Sequence, residues 1–161
     1  MTAHPIPPVC GSDPRVLILG SFPSVKSREI GFFYGHPQNR FWRVMAAVLD
    51  EPLPETVEQK VQMLTSHGIA LWDVIASCNI QGSSDSTITD VIPTDLSPIV
   101  GQGTLRAVCT NGAVATRLYR QYQQPLVGIP AIQLPSTSPA NAVKTVSQLV
   151  DEWKIIRRWL I

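Results

Sequence analysis

Residues 15–20, Arg-Val-Leu-Ile-Leu-Gly, form a short unbroken apolar run closed by glycine. A half-exposed strand would alternate apolar and polar residues. This one does not, so it reads as a buried, parallel strand. Three similar runs follow at 69–73 (Ile-Ala-Leu-Trp-Asp), 105–110 and 131–134. Between them, apolar residues recur at helical spacing. Phe41, Val44, Met45, Val48 and Leu49 predict a helix that starts near Asn39, a good N-cap type, and stops before Pro52 and Pro54. A second helix is expected over 56–67 with Gly68 as its C-cap, a short one over 96–100, one from Asn111-Gly112 to about Tyr122, and a long terminal one over 141–160. Alternating strands and helices predict an α/β fold of three layers, α/β/α, around a mainly parallel four-stranded sheet.

Length and composition narrow the class. A chain of 161 residues suits one domain with a sizeable core, and 44% apolar against 16% charged residues marks it as folded rather than disordered. No apolar run approaches the roughly 20 residues of a membrane span, so no membrane partner is expected. Residues 1–14 hold three prolines by position 8 and no basic stretch ahead of an apolar one, so they read as a flexible leader rather than a secretory signal. The domain is expected to span 15–161, and the default location is cytoplasmic. Cys10, Cys78 and Cys109 are widely spread, without Cys-x-x-Cys, and read as buried thiols; His4, His36 and His67 lack metal-ligand spacing. Neither a metal nor another cofactor is expected. A net charge of +1 excludes broad, non-specific coating of nucleic acid and leaves room only for a small local contact.

Two loops concentrate the chemistry. The stretch 21–38 follows the first strand and is rich in Ser, Gly and Pro, which predicts a long ordered loop of the kind that is usually functional. It leads into Gly35-His-Pro-Gln-Asn-Arg-Phe-Trp42. A second Pro/Ser loop, 134–141, follows the last strand. Loops at the carboxyl ends of strands in an open α/β sheet can converge on one crevice.

The Gly20-Ser-Phe-Pro-Ser24 turn, the His36-Pro-Gln-Asn-Arg-Phe-Trp42 run and the Pro135-Ser-Thr-Ser-Pro139 loop together resemble the uracil-DNA glycosylase superfamily. The mismatch-specific branch has a similar His-Pro-x-Asn-Arg-Phe-Trp run, and the nearest branch is the hypoxanthine-DNA glycosylases. The resemblance covers about 15–159. It implies a monofunctional enzyme that flips a deaminated base out of DNA and hydrolyses its N-glycosidic bond, with DNA containing such a base as partner and a monomer as working unit. Most of the superfamily places Asp, Asn or Glu two residues after the glycine of the first turn to handle water. Here that residue is Phe22, which cannot activate or orient water. In the hypoxanthine branch the role passes to the Asn of the His-Pro-x-Asn run, here Asn39.

The resemblance assigns the remaining roles. Asn39 would hold a water by its carbonyl oxygen and act by positioning; capping its helix is a compatible role. His36 would donate to a phosphate or the leaving base, or only fix its loop. Phe22 would stack on the flipped base, with Tyr34 as a pocket wall; core packing explains both equally. Asp73, ending the second strand, would accept N1–H of hypoxanthine and repel the bare N1 of adenine, the rival being an N-cap or salt bridge. Asn111 would bond a base edge or a loop, or cap the next helix. Pro135, Ser136, Thr137, Ser138, Pro139 and Asn141 would form the DNA wedge and phosphate contacts, with Ser138 alternatively a cap. Ser21, Pro23, Ser24 and Arg40 are expected at the DNA backbone, within a basic group of Lys26, Arg28, Arg40 and Arg43. Residues 83–86 read as a solvated turn.

Competing functions remain. A uracil or mismatch-specific glycosylase would use the same parts, and a non-catalytic reader of lesions or nucleosides would explain Phe22. A serine hydrolase is disfavoured because Gly-x-Ser-x-Gly is absent, and a Rossmann enzyme because no Gly-x-Gly-x-x-Gly follows the first strand.

Overall fold

The computed structural model describes residues 1–160; Ile161, the last residue of the expected domain, lies outside them. The elements run β1 (Thr2–Ala3), β2 (Val16–Gly20), α1 (Val25–Ile30), α2 (Phe41–Val48), α3 (Val57–Ser66), β3 (Ile69–Asp73), β4 (Ile75–Asn79), β5 (Thr89–Pro93), α4 (Ser97–Val100), β6 (Ala107–Asn111), α5 (Ala113–Tyr122), α6 (Gln124–Val127), β7 (Ala131–Leu134) and α7 (Val146–Trp153).

The main sheet has the order β3-β2-β6-β7 and is parallel throughout. Every residue of β2 is buried, as its unbroken apolar run requires. Alternation along the strand sorts its side chains onto two faces. Val16 and Ile18 join a cluster with Phe41 and Met45 of α2, Leu64 of α3 and Trp153 of α7. Leu17 and Leu19 join the opposite cluster with Ile99 of α4 and Leu118 and Tyr119 of α5. This gives the three-layer α/β/α architecture.

Register then positions the site. Gly20 pairs with Asp73 and Asn111 with Leu134, so the strands end together at one edge. The chain passes from β2 outward to β3 and, after β4 and β5, returns to β6 on the other side of β2. The strand order therefore reverses beside β2, where open α/β sheets form their crevice.

Four features differ from expectation. Residues 1–14 are not a loose leader. Thr2 and Ala3 pair antiparallel with Cys78 and Ser77 of β4, Val9 exchanges backbone hydrogen bonds with Leu71, and Ile6 and Val9 are buried. Ile6 and Val9 join the core cluster of Val16 and Ile18, and Thr2 and Ala3 form the edge of the small antiparallel sheet β1-β4-β5, a part that the proline content disguised. The stretch 21–38 is not all loop: Ser24 caps α1 by accepting from Ser27 N at 3.1 Å. The terminal helix begins at Val146 rather than Asn141, because Thr145 and Gln148 form a capping box there. It then tightens into a 3-10 stretch, Lys154–Trp159. Of the three thiols, Cys78 and Cys109 are buried but Cys10 is only half-buried; burial pushes the Cys109 thiol up to about 12, which leaves it inert at neutral pH.

Two indoles tie the core to the loops. Trp42 donates from Nε1 to Phe33 O at 3.1 Å, and the fully buried Trp153 donates to Pro135 O at 2.9 Å. Trp153→Ala should destabilise the fold by about 3–5 kcal/mol in chemical denaturation. Trp153→Phe keeps most of the packing but leaves the Pro135 carbonyl without its donor, so a smaller loss of about 1–3 kcal/mol is expected.

Candidate active site

The two Pro/Ser loops meet at Thr137, which is fully buried. Its N–H donates to Asn111 Oδ1 at 3.1 Å and its hydroxyl accepts from Asn111 Nδ2 at 3.1 Å. The same hydroxyl donates to Asn39 Oδ1 at 2.9 Å, across 98 residues of sequence. Asn39 Oδ1 also accepts from Phe41 N at 2.9 Å. Both lone pairs of that oxygen are therefore taken, which corrects the expectation that it holds a water. Nδ2 is the end of the amide left without a protein partner among the described residues.

Asn111 is a strut rather than a helix cap or a base reader. Its Nδ2 bonds both Thr137 and the Tyr34 hydroxyl, the latter at 3.1 Å, so its donors are fully used. α5 instead starts at Gly112, whose φ of 94° requires glycine.

These residues line a cleft of about 700 Å³. Phe22 forms part of its wall while only 8% exposed, beneath the Arg28 guanidinium 5.5 Å from its ring centroid. Tyr34 stacks on Phe41 at 4.1 Å between centroids, and burial together with the charge of Asp73 raises its pKa, so it stays a phenol. Asp73 is only 3% exposed. Its Oδ2 meets His4 Nε2 at 2.7 Å, while Oδ1 reaches the cleft and has no donor among the described residues. A Cβ on Gly20 would stand 2.5 Å from Asp73 Oδ1 and 2.9 Å from the Tyr34 hydroxyl. Glycine is what lets these two groups close on the end of β2.

His36 lines the cleft and accepts from Gln38 N through Nδ1 at 3.1 Å, which fixes its loop and leaves Nε2 free. Ser21 lines the cleft and donates to Asp85 Oδ2 at 2.9 Å, Ser24 caps α1, and Pro23 is buried.

Arg40 is the clearest correction. Its guanidinium donates to Ser138 O at 2.7 Å, Asn141 O at 2.8 Å, Thr137 O at 3.3 Å and Lys144 O. Four backbone carbonyls take four of its five N–H groups, so its main part is to brace the second loop. Asn141 completes the brace through Nδ2 to Ser136 O at 3.0 Å, and Ser136 and Ser138 hydroxyls accept from Ser138 N and Ala140 N. Of the expected wedge, Pro139 remains exposed, with Ala140, Ala142 and Val143 beside it in sequence. Thr137 cannot touch DNA from its buried position.

Sequence reading passed over two site residues. His4 was assigned to the leader. Asp85 was assigned to a solvated turn and is exposed, yet it also lines the cleft, where partial loss of solvation and the charge of Asp73 push its carboxyl upward, against the lowering effect of Ser21. Neither sits in a local motif; only tertiary folding brings them to the site. Among the described residues no three His, Cys, Asp or Glu side chains cluster to hold a metal ion, and no helix is long and apolar enough to cross a membrane.

A three-layer α/β/α fold with a cleft at the carboxyl edge of its sheet, walled by aromatic rings and amides and roomy enough for a base with its sugar, fits a protein that admits an extruded nucleobase. The model of the uracil DNA glycosylase superfamily matches residues 7–159, and the chain belongs to that superfamily. A hypoxanthine DNA glycosylase of Methanosarcina acetivorans is 33% identical over 162 positions, 98% of this chain and 99% of the relative. A second, from Methanosarcina barkeri, is 34% identical over 91 residues, 56% of this chain and 58% of its own length. The solution NMR structure of a Methanosarcina acetivorans protein described as a candidate uracil DNA glycosylase superposes with a TM-score of 0.81 at 33% identity, covering 95% of this chain and 94% of that one.

Gly20→Ala should separate Asp73 from Tyr34 and cut single-turnover base release by at least about tenfold, a loss expected from misplacing groups by an ångström. Arg40→Ala should lower stability by about 2–3 kcal/mol and increase proteolysis within 135–145, because several charge-assisted bonds are lost. Arg40→Lys should fail to restore either, since an ammonium has only three N–H donors on a single nitrogen for four carbonyls.

Proposed function

We propose that the protein is a monofunctional DNA glycosylase that releases hypoxanthine from deoxyinosine. The observation that carries the reading is Asp73: a nearly buried carboxylate with one oxygen fixed and the other presented, unpartnered, to the cleft. Hypoxanthine offers N1–H to such an acceptor, whereas adenine offers a bare nitrogen that repels it. Guanine also carries N1–H, so its rejection falls to the space around its 2-amino group. The M. acetivorans relative, similar over nearly the whole chain, supports the same reading.

In the reaction, a water oxygen bonds C1′ of the sugar as the C1′–N9 bond breaks. The electron pair leaves on the base, which takes up a proton from solvent, and the attacking water's proton passes to an acceptor. Asn39 acts here as a donor: its free Nδ2 stabilises negative charge on the leaving base. Asp85, with its raised pKa and second oxygen unpartnered among the described residues, receives the proton of the attacking water. Phe22 and Tyr34 wall the base, and the exposed tip beginning at Pro139 enters the duplex where the nucleotide has left. The cleft is complete within one chain, which supports action as a monomer, and three unpaired thiols support a reducing, cytoplasmic setting.

Base release from oligonucleotides containing deoxyinosine, deoxyuridine or deoxyxanthosine tests the reading. Hypoxanthine release by the wild type should fall about a hundredfold in Asn39→Ala and in Asp85→Asn. Asp73→Asn should lose preference for deoxyinosine over deoxyadenosine; an unchanged preference sinks its role. A second reading is uracil release, because uracil presents N3–H to the same acceptor. Binding of lesions without any release would instead favour a non-catalytic reader, the role that the apolar Phe22 suits.

A further inference from the structure

His4 lies behind Asp73, outside the lining of the cleft, and its side chain is 5% exposed. Ile6 N donates to its Nδ1 at 3.1 Å. A backbone N–H can only donate, so Nδ1 is bare and the ring proton sits on Nε2. Nε2 therefore donates to Asp73 Oδ2 across 2.7 Å. The ring cannot swing away. Phe22 meets it edge-on with centroids 5.9 Å apart, and Phe33 stands 6.0 Å off. The backbone on either side is pinned: His4 N bonds Ala76 O at 2.8 Å, and Val9 pairs with Leu71 on the strand that ends in Asp73.

The carboxylate is thus held at one oxygen from behind. Its other oxygen is left at the cleft beside Gly20 and Tyr34 with no protein donor among the described residues. We propose that His4 is a positioning residue for base selection: by donating to Oδ2 it aims Oδ1 at the base edge and makes the pocket select a ring N–H over a bare ring nitrogen. This rests on the glycosylase reading of the site. It also assigns the N-terminal segment a functional part, since the segment supplies a group to the chemistry that sorts substrates.

Two similar variants separate positioning from packing. Gln carries an N–H donor at the reach of Nε2, and Asn carries one that falls short. Single-turnover rates are measured on deoxyinosine and on deoxynebularine, whose purine has a bare N1, with melting temperatures alongside. His4→Gln should keep the ratio of the two rates within about threefold of wild type, and His4→Asn should lower it by about tenfold, the size of one misdirected polar contact. Equal ratios in the two variants, whether kept or lost, overturn the proposal. A readout that needs no turnover is the imidazole nitrogen spectrum of the wild type. A neutral ring protonated at Nε2, and disturbed in Asp73→Asn, supports the assignment; a ring protonated at Nδ1, or one unaffected by Asp73→Asn, overturns it. A wild type that releases no base from deoxyinosine defeats the glycosylase reading itself, and the nitrogen spectrum still decides the His4–Asp73 geometry.

Discussion

The buried hydroxyl of Thr137 joins the two halves of the cleft. It accepts from one amide, Asn111, and donates to another, Asn39, while the Thr137 backbone carbonyl takes both the N–H and the side-chain Nε of Arg40. Thr137 is fully buried and its partners are partly so, so leaving one of its polar groups unpaired costs about 1–3 kcal/mol. Segments far apart in sequence are held in register by polar contacts whose alternatives are all worse. The amide ends of Asn39 and Asn111 are oriented by this chain of donors and acceptors.

The core supports the same geometry from below. Trp42 and Trp153 are packed among the apolar residues on one face of the sheet, yet each sends its single N–H outward to a loop carbonyl, Phe33 O for the first loop and Pro135 O for the second. Tyr34 stacks on Phe41, the first residue of α2, so the helix that fills the core also sets a cleft wall. Packing and site are one construction, and for that reason large apolar residues flank the polar motif in the sequence.

Much of the fold was legible in the sequence because buried parallel strands carry a continuous apolar run and helices a 3.6-residue period. Both signals are local. The four strands of the main sheet and the helices beginning at 41, 57 and 113 follow from them. The small sheet did not, because β4 and β5 have irregular register and Asp90 takes a positive φ that breaks the alternation. In the site, the meeting of the two loops was legible from their placement at strand ends. The roles of individual side chains were not. Arg40 and Thr137 look like DNA contacts by residue type, and only their tertiary partners reveal them as braces. His4 and Asp85 carry no local pattern, since each reaches the site from a segment that looks like linker.

Bracing of this kind alters how the protein meets a long polyanion. Of the four cations around the first motif, Arg40 has four of its five N–H groups on carbonyls and Arg28 is shared between Pro23 O, Gly82 O and the face of Phe22. A protein that brings few charges to phosphate displaces few condensed counterions, and its binding to duplex DNA depends only weakly on ionic strength. A search conducted by short visits would leave discrimination to the moment when a base enters the cleft, by fit and hydrogen-bond polarity rather than by prolonged residence on the helix.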